Sequence, residues 1–275
     1  MHHAPEIQEF LKAALAEDIG TGDVTGNSVV PAALQSRLAV NAREALTVAG
    51  LTYLPQLFQM IDPAVKVTLH VADGESVAAG TKLTTIEGPA RALLAGERTA
   101  LNLIQHLSGV ATLTRRYVDA VAGTEAKILD TRKTIPGMRA LQKYAVRCGG
   151  GKNHRMGLYD AVMIKDNHIA IAGGVKAAIE AARASGKKIQ IECDTLAQLD
   201  EALALAVDSV LLDNMALDDL REGVCRAKAR GVLTEASGNV NLQTVRAIAE
   251  TGVAHISVGK LTHSAVAVDI GLDAL

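Results

Sequence analysis

The sequence predicts an α/β protein whose C-terminal part is an incomplete barrel of parallel strands, and two observations carry that prediction. From about residue 126, short β-branched runs alternate with alanine-rich helical segments, the rhythm of parallel βαβ units. Nearly every run also ends in polar residues: Asp130 with Arg132 and Lys133, Lys165 with Asp166, Glu192, Asp213, Glu235 with Ser237, and Ser257 with Gly259. Interior strand positions are apolar, so polar ends on all of them point to one shared site, as in a barrel that gathers side chains from several strands. A doubly wound open sheet also binds ligands at strand ends, but only at a switch point. Six clear strands and one further candidate fall short of eight, so the barrel is expected to be incomplete.

The elements follow in order. Residues 5–17 have the apolar spacing of an amphipathic helix and lead into the turn-rich stretch 18–25. His2 and His3 in front of it read as a frayed or tag-like terminus rather than a metal site. Strands are expected near 36–43 and 65–71, and 73–80 reads as turn, short strand and turn. Pro89 suits the first turn of a long helix to about Leu107, where its missing N–H costs nothing. Gly109 should punctuate that helix before another reaching Val121. Barrel strands are then expected at 128–130, 161–165, 189–192, 210–213, 233–235 and 256–258. The helices between the later strands fall at 175–184, 196–205, 217–229 and 242–250.

Composition narrows the class. With 275 residues, 49% of them hydrophobic, the chain can bury a large core without disulfides. A net charge of −2 lacks the basic excess that nucleic acid or an acidic membrane surface selects. The three cysteines, Cys148, Cys193 and Cys225, are far apart and show no zinc-ligand spacing. No secretory leader or run of ~20 apolar residues is present, so the chain reads as cytoplasmic.

Charge is concentrated in one place. Residues 127–168 hold nine Lys or Arg against three Asp, a net +6 in a chain whose total is −2. Gly149-Gly-Gly151 interrupts this run, and such glycines let backbone N–H groups approach an anion. The stretch therefore reads as a pocket for a small polyanion. Arg132 and Arg155 suit bidentate clamping of carboxylate or phosphate, whereas Lys133 and Lys165 act as point charges. His154 fits an anion donor and a satisfied structural histidine equally well.

Two C-terminal loops add a phosphate site. Ser237-Gly238-Asn239, with Asn239 as cap of the following helix, and Ser257-Val-Gly259 stand where barrels commonly hold phosphate. Ordinary turn chemistry uses the same residue types. Glu192 and Asp213 would repel an anion unless sugar hydroxyls or Mg²⁺ mediated, which suggests a phosphorylated sugar with magnesium.

Three stretches together closely resemble the quinolinate phosphoribosyltransferase family: Arg132-Lys-Thr-Ile-Pro-Gly137, Lys143-Tyr-Ala-Val-Arg-Cys-Gly-Gly-Gly-Lys-Asn-His-Arg155 and Ile164-Lys-Asp-Asn-His168. The match extends in order through Glu17 to Thr25, Gly96-Glu-Arg-Thr-Ala-Leu-Asn102, Glu192, Leu212-Asp-Asn214, Glu235 to Asn239 and Ser257-Val-Gly259 with Leu261-Thr-His-Ser264. The resemblance implies an N-terminal open α/β sandwich domain (1–108, with 264–275 returning to it) and an incomplete seven-stranded TIM-like α/β barrel (109–263). It further implies a homodimer in which Arg98 completes the neighbouring subunit's site.

The implied reaction joins quinolinate to 5-phosphoribosyl-1-pyrophosphate (PRPP), giving nicotinate mononucleotide, pyrophosphate and CO₂. In that reading Arg98, Arg132, His154, Arg155 and Lys165 hold quinolinate. Lys133, Glu192, Asp213, Ser237, Gly238, Asn239, Ser257 and Gly259 hold PRPP, and Lys133, Lys165, Glu192 and Asp213 serve the chemistry. Mg²⁺ would meet Glu192 and Asp213 directly or through PRPP. Lys260 departs from the small residue common in the family and is expected to face solvent. Rival readings are a molybdenum-transport-associated paralogue, a Schiff-base aldolase using Lys165, and a phosphosugar-binding protein without turnover.

Overall fold

The computed structural model describes residues 4–275, so His2 and His3 lie outside the described residues. Two compact units divide the chain. One comprises Met1–Arg115, Thr134–Gly150 and Leu261–Leu275, and the other Arg116–Lys133 and Gly151–Lys260.

The first unit is built on a four-stranded antiparallel sheet. Its order is Ile270–Ala274, Gln35–Ala42, Lys82–Pro89, Lys66–Leu69, so the C-terminal residues pair with the first strand of the chain. Helices Ala4–Ile19, Leu54–Ile61 and Ala90–Ala120 contribute Leu11, Leu54, Leu57, Phe58, Leu93, Ile104 and Leu107 to a fully buried core. Asp23 starts a further short helix, Val24–Val29, inside the turn-rich stretch by accepting the Gly26 N–H at 2.9 Å.

Several expectations change here. Pro89 ends a strand and the long helix starts after it, at Ala90. The strand Lys82–Pro89 escapes a reading by alternation because Leu83, Thr84, Thr85 and Ile86 are all buried, so both its faces are covered. Gly109 does not punctuate the helix, which runs through it to Ala120. A Cβ at Gly109 would stand 2.1 Å from the Val266 carbonyl oxygen, so glycine there serves close packing. Residue 108 lies inside that continuous helix.

The second unit is the barrel. Its six parallel strands stand in the order Lys127–Leu129, His255–Ser257, Leu233–Ser237, Ser209–Asp213, Ile189–Cys193, Val162–Ile164. Five of them follow chain order, and the first strand of the chain lies beside the last, with Ser257 opposite Leu129. That cyclic order fits an incomplete barrel and not a doubly wound open sheet, whose order reverses at a switch point. Lys152 forms a parallel bridge to Leu129 on its other side and occupies the seventh strand position.

Helix ends set the strand-end loops. Thr195 accepts the Gln198 N–H at 3.3 Å while the Gln198 side chain accepts the Thr195 N–H at 3.2 Å. This reciprocal cap starts helix Leu196–Ala204 directly after the Ile189–Cys193 strand, and losing it costs ~1 kcal/mol. Helix Leu217–Ala229 carries Asp218 and Asp219 in its first turn and Arg226 and Lys228 in its last, complementing the helix dipole. Leu220, Val224 and Ala227 form its buried stripe.

Candidate active site

The carboxylates come from neighbouring strand ends. Side chains alternate along a strand, so Gln190, Glu192 and Asp194 project to one side while Cys193 is buried. Glu192 accepts from Lys165 Nζ at 2.5 Å. On the adjacent strand Asp213 accepts from the Ser237 hydroxyl and, at 2.6 Å, from Asn214 Nδ2. Carboxylate oxygens of Glu192, Asp194 and Asp213 lie within 4.8 Å of one another. Asp194 was not singled out from the sequence, although its spacing of two from Glu192 was the available signal.

The turns after Asp213 and Ser237 interlock. Asn214 and Asn239 have φ of 52° and 48°, and Gly238 has φ of 93°. A Cβ on Gly238 would meet Asn214 Oδ1 at 2.1 Å and the Asn214 backbone nitrogen at 2.8 Å. Only glycine fits there without backbone movement. Asn239 donates to Asn214 Oδ1 at 3.2 Å instead of capping a helix at 242. The following helix starts later, at Val245, after a turn in which Asn241 Oδ1 accepts the N–H groups of Gln243 and Thr244.

The cationic side is braced from below. Asp130 is fully buried and accepts from Asn153 Nδ2 at 2.5 Å and from the His154 N–H at 2.8 Å. The His154 ring accepts the Arg155 N–H on Nδ1 at 2.7 Å, and its Nε2 lies 3.3 Å from Glu235 Oε2. Glu235 also accepts from Gln190 Nε2 at 2.8 Å and from the Ser257 hydroxyl. Burial alone would raise the Glu235 carboxyl. The bonds from His154, Ser257 and Gln190 hold it below the usual carboxylate range.

Arg155 donates to the Ala161 carbonyl at 3.0 Å. Burial, and then the neighbouring positive charge of Arg132, pull its guanidinium below its ordinary value, against the pull of Asp160. The charge of Arg132 is thus felt at the Arg155 guanidinium.

Models of two domains cover nearly the whole chain. "Quinolinate phosphoribosyl transferase, N-terminal domain" matches residues 23–108, and the corresponding C-terminal domain matches residues 110–273. This chain belongs to the quinolinate phosphoribosyltransferase family. Nicotinate-nucleotide pyrophosphorylase [carboxylating] of Mycobacterium leprae is 44% identical over 97% of this chain and 96% of its own. Quinolinate phosphoribosyltransferase [decarboxylating] 1 of Nicotiana glauca is 41% identical over 98% of this chain and 83% of its own. The structure of the nicotinate-nucleotide pyrophosphorylase from Francisella tularensis superposes with a TM-score of 0.95 at 39% identity, covering 98% and 96% of the two chains.

Within this family fold, the residues singled out from the sequence divide. Arg132, Lys133, His154, Arg155, Lys165, Glu192, Asp213, Ser237, Gly238, Asn239, Ser257 and Gly259 all belong to the barrel unit, whereas Arg98 is exposed on the long helix of the first unit. Ser257 is buried and turns its hydroxyl inward to Glu235. Lys260 is exposed.

Within the run 127–168, residues 134–150 cluster with the first unit, and 127–133 and 151–168 with the barrel unit. The glycines of the run work differently from the expectation. The N–H groups of Gly149 and Gly150 bond to the Ala145 and Arg147 carbonyls and close a helix end, leaving neither aimed at an anion. Among the described residues, no helix is long and apolar enough to cross a membrane.

Proposed function

We propose that this enzyme transfers phosphoribose from PRPP to quinolinate and releases pyrophosphate and CO₂ to leave nicotinate mononucleotide. The observation that carries the reading is the Arg132–Arg155 pair, two like charges held close enough to oppose one another. A planar dianion offsets that opposition, and the forked geometry of guanidinium matches carboxylate. Quinolinate carries two carboxylates on adjacent ring carbons. Lys165 and the partner subunit's Arg98 add further positive charge in a homodimer, and His154 belongs to the same clamp.

PRPP takes the other strand ends. Ser237, Gly238, Asn239 and Gly259 receive the 5-phosphate, while Glu192 and Asp213 receive ribose hydroxyls. Lys133 neutralises pyrophosphate. Ser257, expected among the phosphate ligands, serves from beneath by donating to Glu235. Glu192, Asp194 and Asp213 are hard oxygen donors close together, which fits Mg²⁺ retaining some of its waters. When bound, the ion supplies charge neutralisation to the departing pyrophosphate.

Departure of pyrophosphate leaves positive charge on the ribose, which the Glu192 and Asp213 carboxylates stabilise without covalent attack. The ring nitrogen then bonds to the anomeric carbon and becomes quaternary. It withdraws the electron pair left behind when the adjacent carboxylate departs as CO₂, and that carbon takes up a proton. The protein positions and screens charge, and no side chain need act as nucleophile.

The test is to incubate the full chain with quinolinate, PRPP and Mg²⁺ and follow pyrophosphate and CO₂. Both should appear in equal amounts. Inactivity of the folded protein, or activity with nicotinate but not quinolinate, would overturn the reading.

A further inference from the structure

We infer that Glu235 is a positioning residue for Arg155, acting through one fixed tautomer of the His154 ring. The inference rests on the reading of Arg155 as a carboxylate clamp. It gives His154 a further task within that clamp, because the ring also orients its neighbour.

Glu235 lies on the inner strand Leu233–Ser237 and is 3% exposed. Ionised, it can only accept. One oxygen takes the Ser257 hydroxyl, and the other takes Gln190 Nε2 at 2.8 Å and faces His154 Nε2 at 3.3 Å. A proton on Nε2 satisfies that oxygen. The neutral ring then has a lone pair on Nδ1, where the Arg155 N–H arrives at 2.7 Å. The opposite tautomer would set an Nδ1–H against the Arg155 N–H and a lone pair against the carboxylate. A doubly protonated ring would suffer the first of these conflicts as well. The buried carboxylate thereby selects the tautomer, as an outer carboxylate does for a metal-bound histidine.

The neighbouring charges agree with this assignment. His255 also feels Glu235, but burial, followed by the charge of Lys152, keeps its imidazole below the ordinary range. It therefore does not compete as a second cation for the same carboxylate. Asp130 fixes the other side by holding Asn153 and the His154 N–H. Arg155 is then tethered at both ends, by its own N–H to the His154 ring and by its guanidinium to Ala161.

The experiment combines spectroscopy and kinetics on the full-length enzyme. In ¹⁵N-histidine long-range correlation spectra, the His154 signal, assigned by its loss in His154→Asn, should show a protonated Nε2 and a bare Nδ1. That pattern should persist with quinolinate bound. A doubly protonated ring in the bound enzyme would overturn the inference. Glu235→Gln should raise the quinolinate KM roughly ten-fold, the scale of one charge-assisted hydrogen bond, and leave the PRPP KM unchanged. His154→Asn, whose amide oxygen can stand in for Nδ1, should retain more quinolinate affinity than His154→Ala. Equal losses in those two variants would also overturn the inference, and they serve if Glu235→Gln fails to fold. Arg155→Ala separates the layers. If it leaves quinolinate binding unchanged, the clamp itself fails. If it weakens binding while Glu235→Gln does nothing, only the inference about Glu235 fails.

Discussion

The middle of the cationic run and its flanks look alike in sequence and meet opposite fates in the fold. In the middle, Thr134–Gly150, Lys143 is fully buried and Gln142 is knitted to His106 at 2.9 Å and to the Thr262 carbonyl at 2.7 Å. Tyr144 donates to Asp73 at 2.6 Å, and Arg147 lies over the Tyr144 ring. Burial, with the bond to Asp73, pushes the Tyr144 hydroxyl well above its ordinary range, so it remains a donor. Asp73 in turn accepts the Leu51 and Thr52 N–H groups. In the flanks, Arg132, Arg155 and Lys165 stand at barrel strand ends, partly exposed and braced by buried carboxylates. Charge density marks the whole run, but only attachment to a strand end turns a cation into a candidate ligand.

That contrast can be broken by experiment. The largest effect is expected from Arg132→Ala and Arg155→Ala, each removing charge-assisted contacts worth ~1.5–3 kcal/mol apiece. Quinolinate kcat/KM should fall at least tenfold while the thermal melt stays near that of the parent. Near-normal kinetics in both would abolish the distinction between flank and middle.

Gly149→Ala probes the middle. Its Cβ would stand 2.4 Å from the Ala111 carbonyl and 2.6 Å from Thr114 Cβ. Overpacking of this kind costs ~1–3 kcal/mol, read as a lower denaturation midpoint. The quinolinate KM of the folded fraction should be unaltered, and a raised KM with unaltered stability would reverse the assignment.

Tyr144→Phe should cost about 1 kcal/mol, the net worth of its bond to Asp73, again without kinetic change. Chemical denaturation measures it, and a drop in turnover at full stability would place Tyr144 with the flanks. The smallest effect is expected from Lys260→Ala, whose side chain faces solvent. PRPP affinity measured by titration should be unchanged, and a clear loss would add this residue to the phosphate site.

Much of the barrel was legible before the fold was known. Alternating β-branched and alanine-rich segments placed six strands, because periodicity reports which local structure buries its apolar side. Polar strand ends announced Lys165, Glu192 and Asp213, since a parallel sheet tolerates such residues only at its rim. The first unit was less readable. Its strand Lys82–Pro89 is covered on both faces, so alternation never appears.

By itself, then, the sequence determined the βαβ rhythm, the strand-end chemistry and the family motif, all of which are local or read in chain order. Tertiary structure alone decided that residues 134–150 pack with the first unit and that Asp194 joins Glu192 and Asp213. It also decided that Gly109 and Gly149 serve close packing, and that the His154 ring lies between Glu235 and the Arg155 N–H. The reason is physical: spacing along a chain states which face a residue occupies, whereas the atom opposite that face comes from a segment far away in sequence.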